Sequence, residues 1–266
     1  MIYINGNKCP YQIDILKIQN LRYPPTVNRS GKSKDKNDIK TIVHVKTNLV
    51  KIPTIITSDL HSHTEAVLND LEYNEIDISK YTVLTLGDMA GDGIFGSDGD
   101  PTEYYKRINE RSQLYICQGN HDLPPKEISE LMELKNKDGT SCMISDGEEI
   151  LNTPNGTIGG VHGTISLKVH PYKKDPDVFY ALLENVLKWK KPEIIMTHET
   201  PEIPIYDNQK QKKVDLIGKS HLYQMICKYK PKIHMYGHCH HQYAFIYSND
   251  VMFINADGRI LILEPI

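Results

Sequence analysis

The sequence predicts an α/β layered fold in which mixed β-sheets are flanked by helices. Two patterns lead there. From Pro53 onward, short apolar runs alternate with stretches of helical periodicity, and strand patterns dominate between Tyr243 and Ile262. Strands alternating with helices build layers around sheets rather than a helical bundle. In addition, polar residues such as Asp59, Asp88, Asn120, His198 and His238 repeatedly appear just beyond the last apolar residue of a run. In α/β folds the carboxyl ends of strands are where sites assemble.

The elements follow in order. Residues 1–50 contain short alternating stretches, Ile2 to Ile4 and Ile42 to Val45, joined by a basic segment. Ile55 to Thr57 is a strand, and Thr64 is placed to cap a helix whose apolar face holds Val67, Leu68 and Leu71. Tyr81 to Leu86 is a second strand, Thr102 to Arg111 a helix, and Leu114 to Cys117 a third strand. Pro125 suits the first turn of a helix running to about Lys135. Asn155-Gly156 is a hairpin turn signal. Pro176 opens a further helix, Ile194 to Met196 is a strand, His221 to Lys230 a helix, and Ile233 to Met235 a strand. Turns are expected at Ser248 to Asp250 and at Asp257-Gly258.

Composition bounds the function. With 266 residues, 39% hydrophobic and 24% charged, the chain can bury a substantial core. No linker, repeat or low-complexity tract interrupts it, so residues 1–266 are expected to form one domain: N-terminal strands and a basic loop over 1–50, then a motif-bearing core over 53–245. No apolar run approaches the roughly 18 residues of a membrane span. Met1 to Gly6 lacks the basic and apolar regions of a secretory signal. A cytoplasmic protein without a membrane partner is expected. Cys9, Cys117, Cys142, Cys227 and Cys239 are scattered, with no CxxC pair, and are expected as free thiols. The net charge of −3 supplies no global attraction to nucleic acid. The local exception, Arg29 to Lys40, is expected as a mobile surface loop, with a phosphate-backbone contact as the alternative.

Chemistry gathers in Asp59, His61, Asp88, Asn120, His121, His198, His238 and His240. Oxygen and imidazole donors together suit Mn, Fe or Zn better than Mg or Ca. The spacing in Asp59-x-His61 and His238-x-His240 puts each pair on one side of an extended segment. Two metals that share a carboxylate need about seven or eight protein ligands, and metals about 3.5–4 Å apart stabilise both the attacking and the leaving oxygen of phosphoryl transfer.

The succession Asp59-Leu60-His61, Gly87-Asp88, Gly119-Asn120-His121-Asp122, Thr197-His198 and Gly237-His238-Cys239-His240 resembles the calcineurin-like metallophosphoesterase superfamily over about residues 55 to 245. Ser58 to Ala66 also resembles a branch of small single-domain phosphodiesterases. The resemblance implies a metallophosphoesterase sandwich. It implies one metal on Asp59, His61 and His240, another on Asn120, His198 and His238, and Asp88 bridging them. A bridging hydroxide would attack phosphorus in line. His121 would stabilise the transition state or protonate the leaving oxygen, and Asp122 would anchor its loop. The chain departs from the phosphoprotein phosphatases, whose G-D-x-x-D-R-G becomes Gly87-Asp88-Met89-Ala90-Gly91-Asp92-Gly93 here. The missing arginine removes a bidentate phosphate clamp, and it stays open which group orients His121, with Asp92 a candidate.

These features imply binuclear-metal hydrolysis of a phosphate ester with Mn, Fe or Zn. The lean is towards a phosphodiester, a nucleotide or nucleic-acid-like substrate. A phosphomonoesterase is the alternative, and a catalytically silent metal-binding scaffold the alternative of another class. The remaining histidines have plainer roles: His44 and His234 packed or at the surface, His63 at the rim, His241 turned away from His240, His170 in a loop and His221 at a helix end. His162, in Gly159 to Gly163, is expected at a tight strand turn. Asp92 to Asp100 lacks the closing glutamate of an EF-hand and is expected as a loop at the mouth of the site. Phe95, Tyr104 and Tyr105 are placed either to stack on substrate or to fill core.

Overall fold

Two mixed sheets pack face to face, and alternation along each strand decides which layer a side chain joins. One sheet orders its six strands Ile13–Tyr23, Asp38–Thr47, Arg259–Pro265, Thr54–Thr57, Thr82–Thr85 and Gln113–Ile116. The other orders its seven Ile2–Ile4, Phe245–Ser248, Val251–Asn255, Ile233–Tyr236, Ile194–Thr197, Gly156–Val161 and Leu151–Thr153. The structure is a computed structural model and describes residues 2–4, 9–25, 38–91, 97–123, 128–170, 172–207, 212–239 and 241–266.

Ile56, Leu84 and Tyr115 from the first sheet meet Ile194, Met196, Met235 and Ile254 from the second in a shared core. Their neighbours point outward. Ile55, Val83 and Leu114 lie under helices Thr64–Tyr73 and Thr102–Arg111, packed on Val67, Leu71, Tyr105 and Ile108. Ile195 and Phe253 lie under helices Pro176–Asn185 and Ser220–Tyr229, packed on Phe179, Leu183, Leu222 and Ile226. The layers run helix, sheet, sheet, helix. Strands covered on both faces are buried throughout rather than at alternate residues, as Thr54–Thr57 and Ile194–Thr197 are.

Parallel pairing places the site. Thr54–Thr57, Thr82–Thr85 and Gln113–Ile116 are parallel neighbours, so the loops carrying Asp59, Asp88 and Asn120 leave one edge of their sheet. Ile194–Thr197 and Ile233–Tyr236 are likewise parallel, so His198 and His238 leave one edge of theirs.

Most predicted elements stand close to their expected bounds, and the departures have local causes. Thr64 starts its helix without capping it: its hydroxyl donates to Met89 O at 2.6 Å and ties the helix to the Asp88 loop. The helix opened by Pro176 continues into a π-turn, Val186–Lys190, closed by left-handed Lys191. The described part of the helix expected after Pro125 is Ile128–Met132. Asp38 to Lys40 do not belong to a mobile loop: they begin the strand Asp38–Thr47, and Lys40 is only 3% exposed. Residues 29–37 lie outside the described residues. The N-terminal hairpin is held by the far end of the chain, because Arg259–Pro265 inserts between Asp38–Thr47 and Thr54–Thr57.

His234 offers a test of this packing. Its Nε2 donates to Thr197 Oγ1 at 2.9 Å, since that hydroxyl gives its own hydrogen to Glu199 O at 2.7 Å. Burial pushes its pKa down to about 3 from 6.5. Below pH 6.5 the unfolded chain takes up a proton that the folded chain refuses, so stability present above pH 6.5 is lost as pH falls, at about 1.4 kcal/mol per pH unit. A His234→Gln variant cannot titrate there. Urea unfolding is expected to show a shallower loss for it than for the wild type between about pH 6.5 and pH 4; identical slopes would refute the assignment.

Candidate metal centre

The loops that leave the strand ends turn sharply. Asp59, His61, Asp88 and His238 have φ of 58, 51, 54 and 69°, all in the left-handed region. Such backbone costs about 1–3 kcal/mol per residue and persists only where its surroundings over-determine it. Here they do. Asp59 N–H donates to Gly87 O at 3.0 Å and His61 N–H to Asp88 O at 2.8 Å. Asp59 Oδ2 accepts from Ser58 Oγ at 2.5 Å and from His238 N–H at 3.0 Å. Asp122 anchors its loop by accepting from the N–H groups of Asp88, Met89 and Gly119, at 3.0, 3.0 and 2.8 Å. The motif glycines permit the approach. A Cβ on Gly119 would stand 2.1 Å from Asp88 Oδ1, and one on Gly237 2.6 Å from Asp59 Oδ2.

Two groups of ligand atoms result, each within 4.8 Å: Asp59, His61 and Asp88, and Asp88, His198 and His238. Asp88 belongs to both. His198 Nδ1 donates to Leu86 O at 2.6 Å, which orients the ring and leaves Nε2 facing Asp88 Oδ2 at 3.2 Å. That contact lacks hydrogen-bond alignment, so Nε2 is a buried polar atom without a hydrogen bond, and so is Asn120 Oδ1. Buried polar atoms left without hydrogen bonds are costly. Unpartnered imidazole nitrogen and amide oxygen beside two carboxylates fit divalent metal ions of the Mn, Fe or Zn type. His240 lies outside the described residues.

Charge points the same way. Burial, reinforced by Asp257 and Asp88, raises the Asp59 pKa to about 6. Burial and the neighbouring Asp88 raise Asp122 to about 7. Burial also works against ionised Asp88, but His198 and His61 outweigh it and hold that carboxyl below its usual range. Burial opposes the charge on His198, yet Asp88 and Asp59 lift it to about 10. Burial lowers His61, and lowers His238 to about 4, keeping both imidazoles neutral as ligation requires. Without a metal, His198 therefore keeps a proton at the nitrogen where a cation would serve, and metal binding would release it.

His121 stands beside this centre, with its ring 5.8 Å from that of His61 and its N–H donating to Asp88 Oδ1 at 2.8 Å. Asp98 Oδ1 lies 3.0 Å from His121 Nδ1, and the other Asp98 oxygen lies 3.4 Å from His170 Nε2. Among the described residues the carboxylate against His121 is Asp98; Asp92 and Phe95 lie outside the described residues. Tyr105 is core. His63 is buried against Tyr23, with ring centroids 4.9 Å apart. His162 is a strut: Nδ1 accepts from Gln118 N–H and Nε2 donates to Ile144 O, both at 3.0 Å. His241 Nε2 donates to Ile217 O at 2.6 Å. Sequence reasoning missed Asp98 and Lys40, whose Nζ donates to Asp59 O at 2.7 Å. The crowded Asp/Gly stretch around Asp98 carried a signal of a loop without naming the residue.

A family model described as calcineurin-like phosphoesterase matches residues 52–242. Among solved structures, that of TT1561 from Thermus thermophilus is similar at a TM-score of 0.56 and 13% identity, covering 78% of this chain and 90% of the other. A second solved structure is similar at a TM-score of 0.51 and 9% identity, covering 77% and 90%. Likeness at such identities concerns the fold. No curated protein sequence matches the chain.

Gly119→Ala tests the packing of the centre. A methyl group at 2.1 Å from Asp88 Oδ1 must displace the shared carboxylate. The variant is expected to lose tight binding of Mn²⁺ in calorimetric titration, and wild-type affinity would contradict the geometry.

Proposed function

The chain belongs to the calcineurin-like phosphoesterase family, and on that premise we propose that it hydrolyses a phosphodiester, nucleotide or nucleic-acid-like, with two divalent metal ions, Mn²⁺ first among Mn, Fe and Zn. The observation that carries this reading is Asp88, the carboxylate common to both ligand groups. Asp59, His61 and Asp88 would hold one metal, completed by His240 as the family resemblance implies. Asp88, Asn120, His198 and His238 would hold the other. When bound, the metals supply positive charge at the phosphoryl oxygens and a nucleophile at neutral pH.

The chain's own residues do the rest. Asp88 keeps both of its oxygens directed, Oδ1 by the His121 N–H and Oδ2 towards His198. Asp98 holds His121 through Nδ1, so Nε2 is the nitrogen that delivers a proton to the leaving oxygen, and the Asp98 carboxylate stabilises the charge the ring carries while it does so. The diester preference is supported by the missing arginine of Gly87 to Gly93. Arg259 does not replace it: its guanidinium donates to the carbonyls of Asp257 and His241. A phosphodiester carries less charge than a monoester and needs less of a clamp. The whole chain acts as one domain on this reading. Among the described residues no helix is long and apolar enough to cross a membrane, and all five cysteines are unpaired, which fits work in the cytoplasm.

Chelator-stripped protein refilled with Mn²⁺ is expected to hydrolyse bis-p-nitrophenyl phosphate faster than p-nitrophenyl phosphate. A faster monoester reaction would favour the phosphomonoesterase, and turnover of neither the metal-binding scaffold. Asp88→Asn is expected to abolish metal-dependent turnover; an active variant would defeat the mechanism. His121→Ala is expected to slow turnover by about 10²–10⁴-fold while calorimetry still counts both metals. An unchanged rate would remove His121 from proton transfer.

A further inference from the structure

The N-terminal hairpin precedes residues 52–242, the segment the family accounts for, yet it reaches the ligands. Lys40 is 3% exposed, and its Nζ donates to the Asp59 carbonyl at 2.7 Å. The same ammonium lies 3.4 Å from Asp38 Oδ2, and that oxygen lies 3.1 Å from His63 Nε2. His63 stacks on Tyr23 with ring planes 15° apart, and the Tyr23 hydroxyl donates to Asp70 Oδ2 at 2.5 Å. Asp59 and His63 are the two ends of the turn that presents Asp59 and His61. Two residues of one strand, Asp38 and Lys40, therefore grip both ends of that turn, while the strand itself is fixed between Ile13–Tyr23 and Arg259–Pro265.

We propose that Lys40 is a positioning residue of the metal centre, holding the Asp59 main chain in the left-handed conformation that aims Asp59 and His61 at one metal, with Asp38 steadying both Lys40 and His63. This rests on the metal reading of the site. A buried ammonium is unfavourable unless it is paired and hydrogen-bonded, and Lys40 finds its partners in Asp38 and in a ligand's own carbonyl. A charged donor makes a stronger hydrogen bond than a neutral one, which suits it to hold backbone at φ 58°. The charge alone would repel a nearby cation, so the contribution of Lys40 is geometric. The two effects predict opposite results on its removal.

The test is calorimetric titration of chelator-stripped wild type, Lys40→Met and Asp38→Asn with Mn²⁺, alongside thermal melts of the metal-free proteins. Lys40→Met keeps the length and packing of the side chain and removes the donor. It is expected to weaken one of two Mn²⁺ equivalents by about tenfold or more and to leave the other at wild-type affinity, a split that general loosening of the fold would not produce. Asp38→Asn, at a more exposed position, is expected to weaken the same equivalent by a smaller factor, and it decides the matter if Lys40→Met does not fold. Unchanged or tighter binding in the folded variants overturns the role of Lys40 and leaves the metal centre standing. A wild type that binds no Mn²⁺ overturns both.

Discussion

A carboxylate buried as deeply as Asp88 is unfavourable unless other groups meet its oxygens and balance its charge. Much of the chain is organised to do so. The His121 N–H meets Oδ1, and His198 faces Oδ2 with its far nitrogen tied to Leu86 O. Asp122 accepts the N–H groups of Asp88 and Met89, so Asp88 is held through its main chain as well as its side chain. Asp59 and Asp257 add further negative charge nearby. A proton on His198 balances part of this charge, and divalent cations would balance it better, with the His198 ring already oriented by Leu86 O.

The two sheets make this arrangement possible because each supplies what the other lacks. The six-stranded sheet delivers Asp59, His61, Asp88, Asn120 and His121, and the seven-stranded sheet delivers His198 and His238. The core between them sets the separation of their edges, and close-packed interiors resist drift. Strain at Asp59, His61, Asp88 and His238 is the local consequence of turning these four residues over short loops. Hydrogen bonds that cross between loops hold that strain, such as the one from His238 N–H to Asp59.

Legibility in the sequence followed locality. Helix Thr102–Arg111 and the hairpin at Asn155-Gly156 could be read because propensity and turn chemistry act over a few residues. The motifs at Asp59, Asp88 and His198 could be placed because each follows closely on a four-residue strand buried at every position. Lys40 could not be read, since its partner is the Asp59 carbonyl, which reaches it only when the strand before Asp59 and the strand holding Lys40 join one sheet around Arg259–Pro265. Asp98 was equally hidden: it reaches His121 only after the chain folds back so that Gly99 pairs with Asp122. His162 announced a constrained backbone through its glycines, but not that both ring nitrogens would be used on Gln118 and Ile144.

On the proposed function one carboxylate, Asp88, serves two metals. Crystals grown from chelator-stripped protein and soaked in Mn²⁺, with data collected at the manganese edge, test it most directly. Two anomalous peaks, both in contact with Asp88, are expected. A single peak away from Asp88, or none, would contradict it.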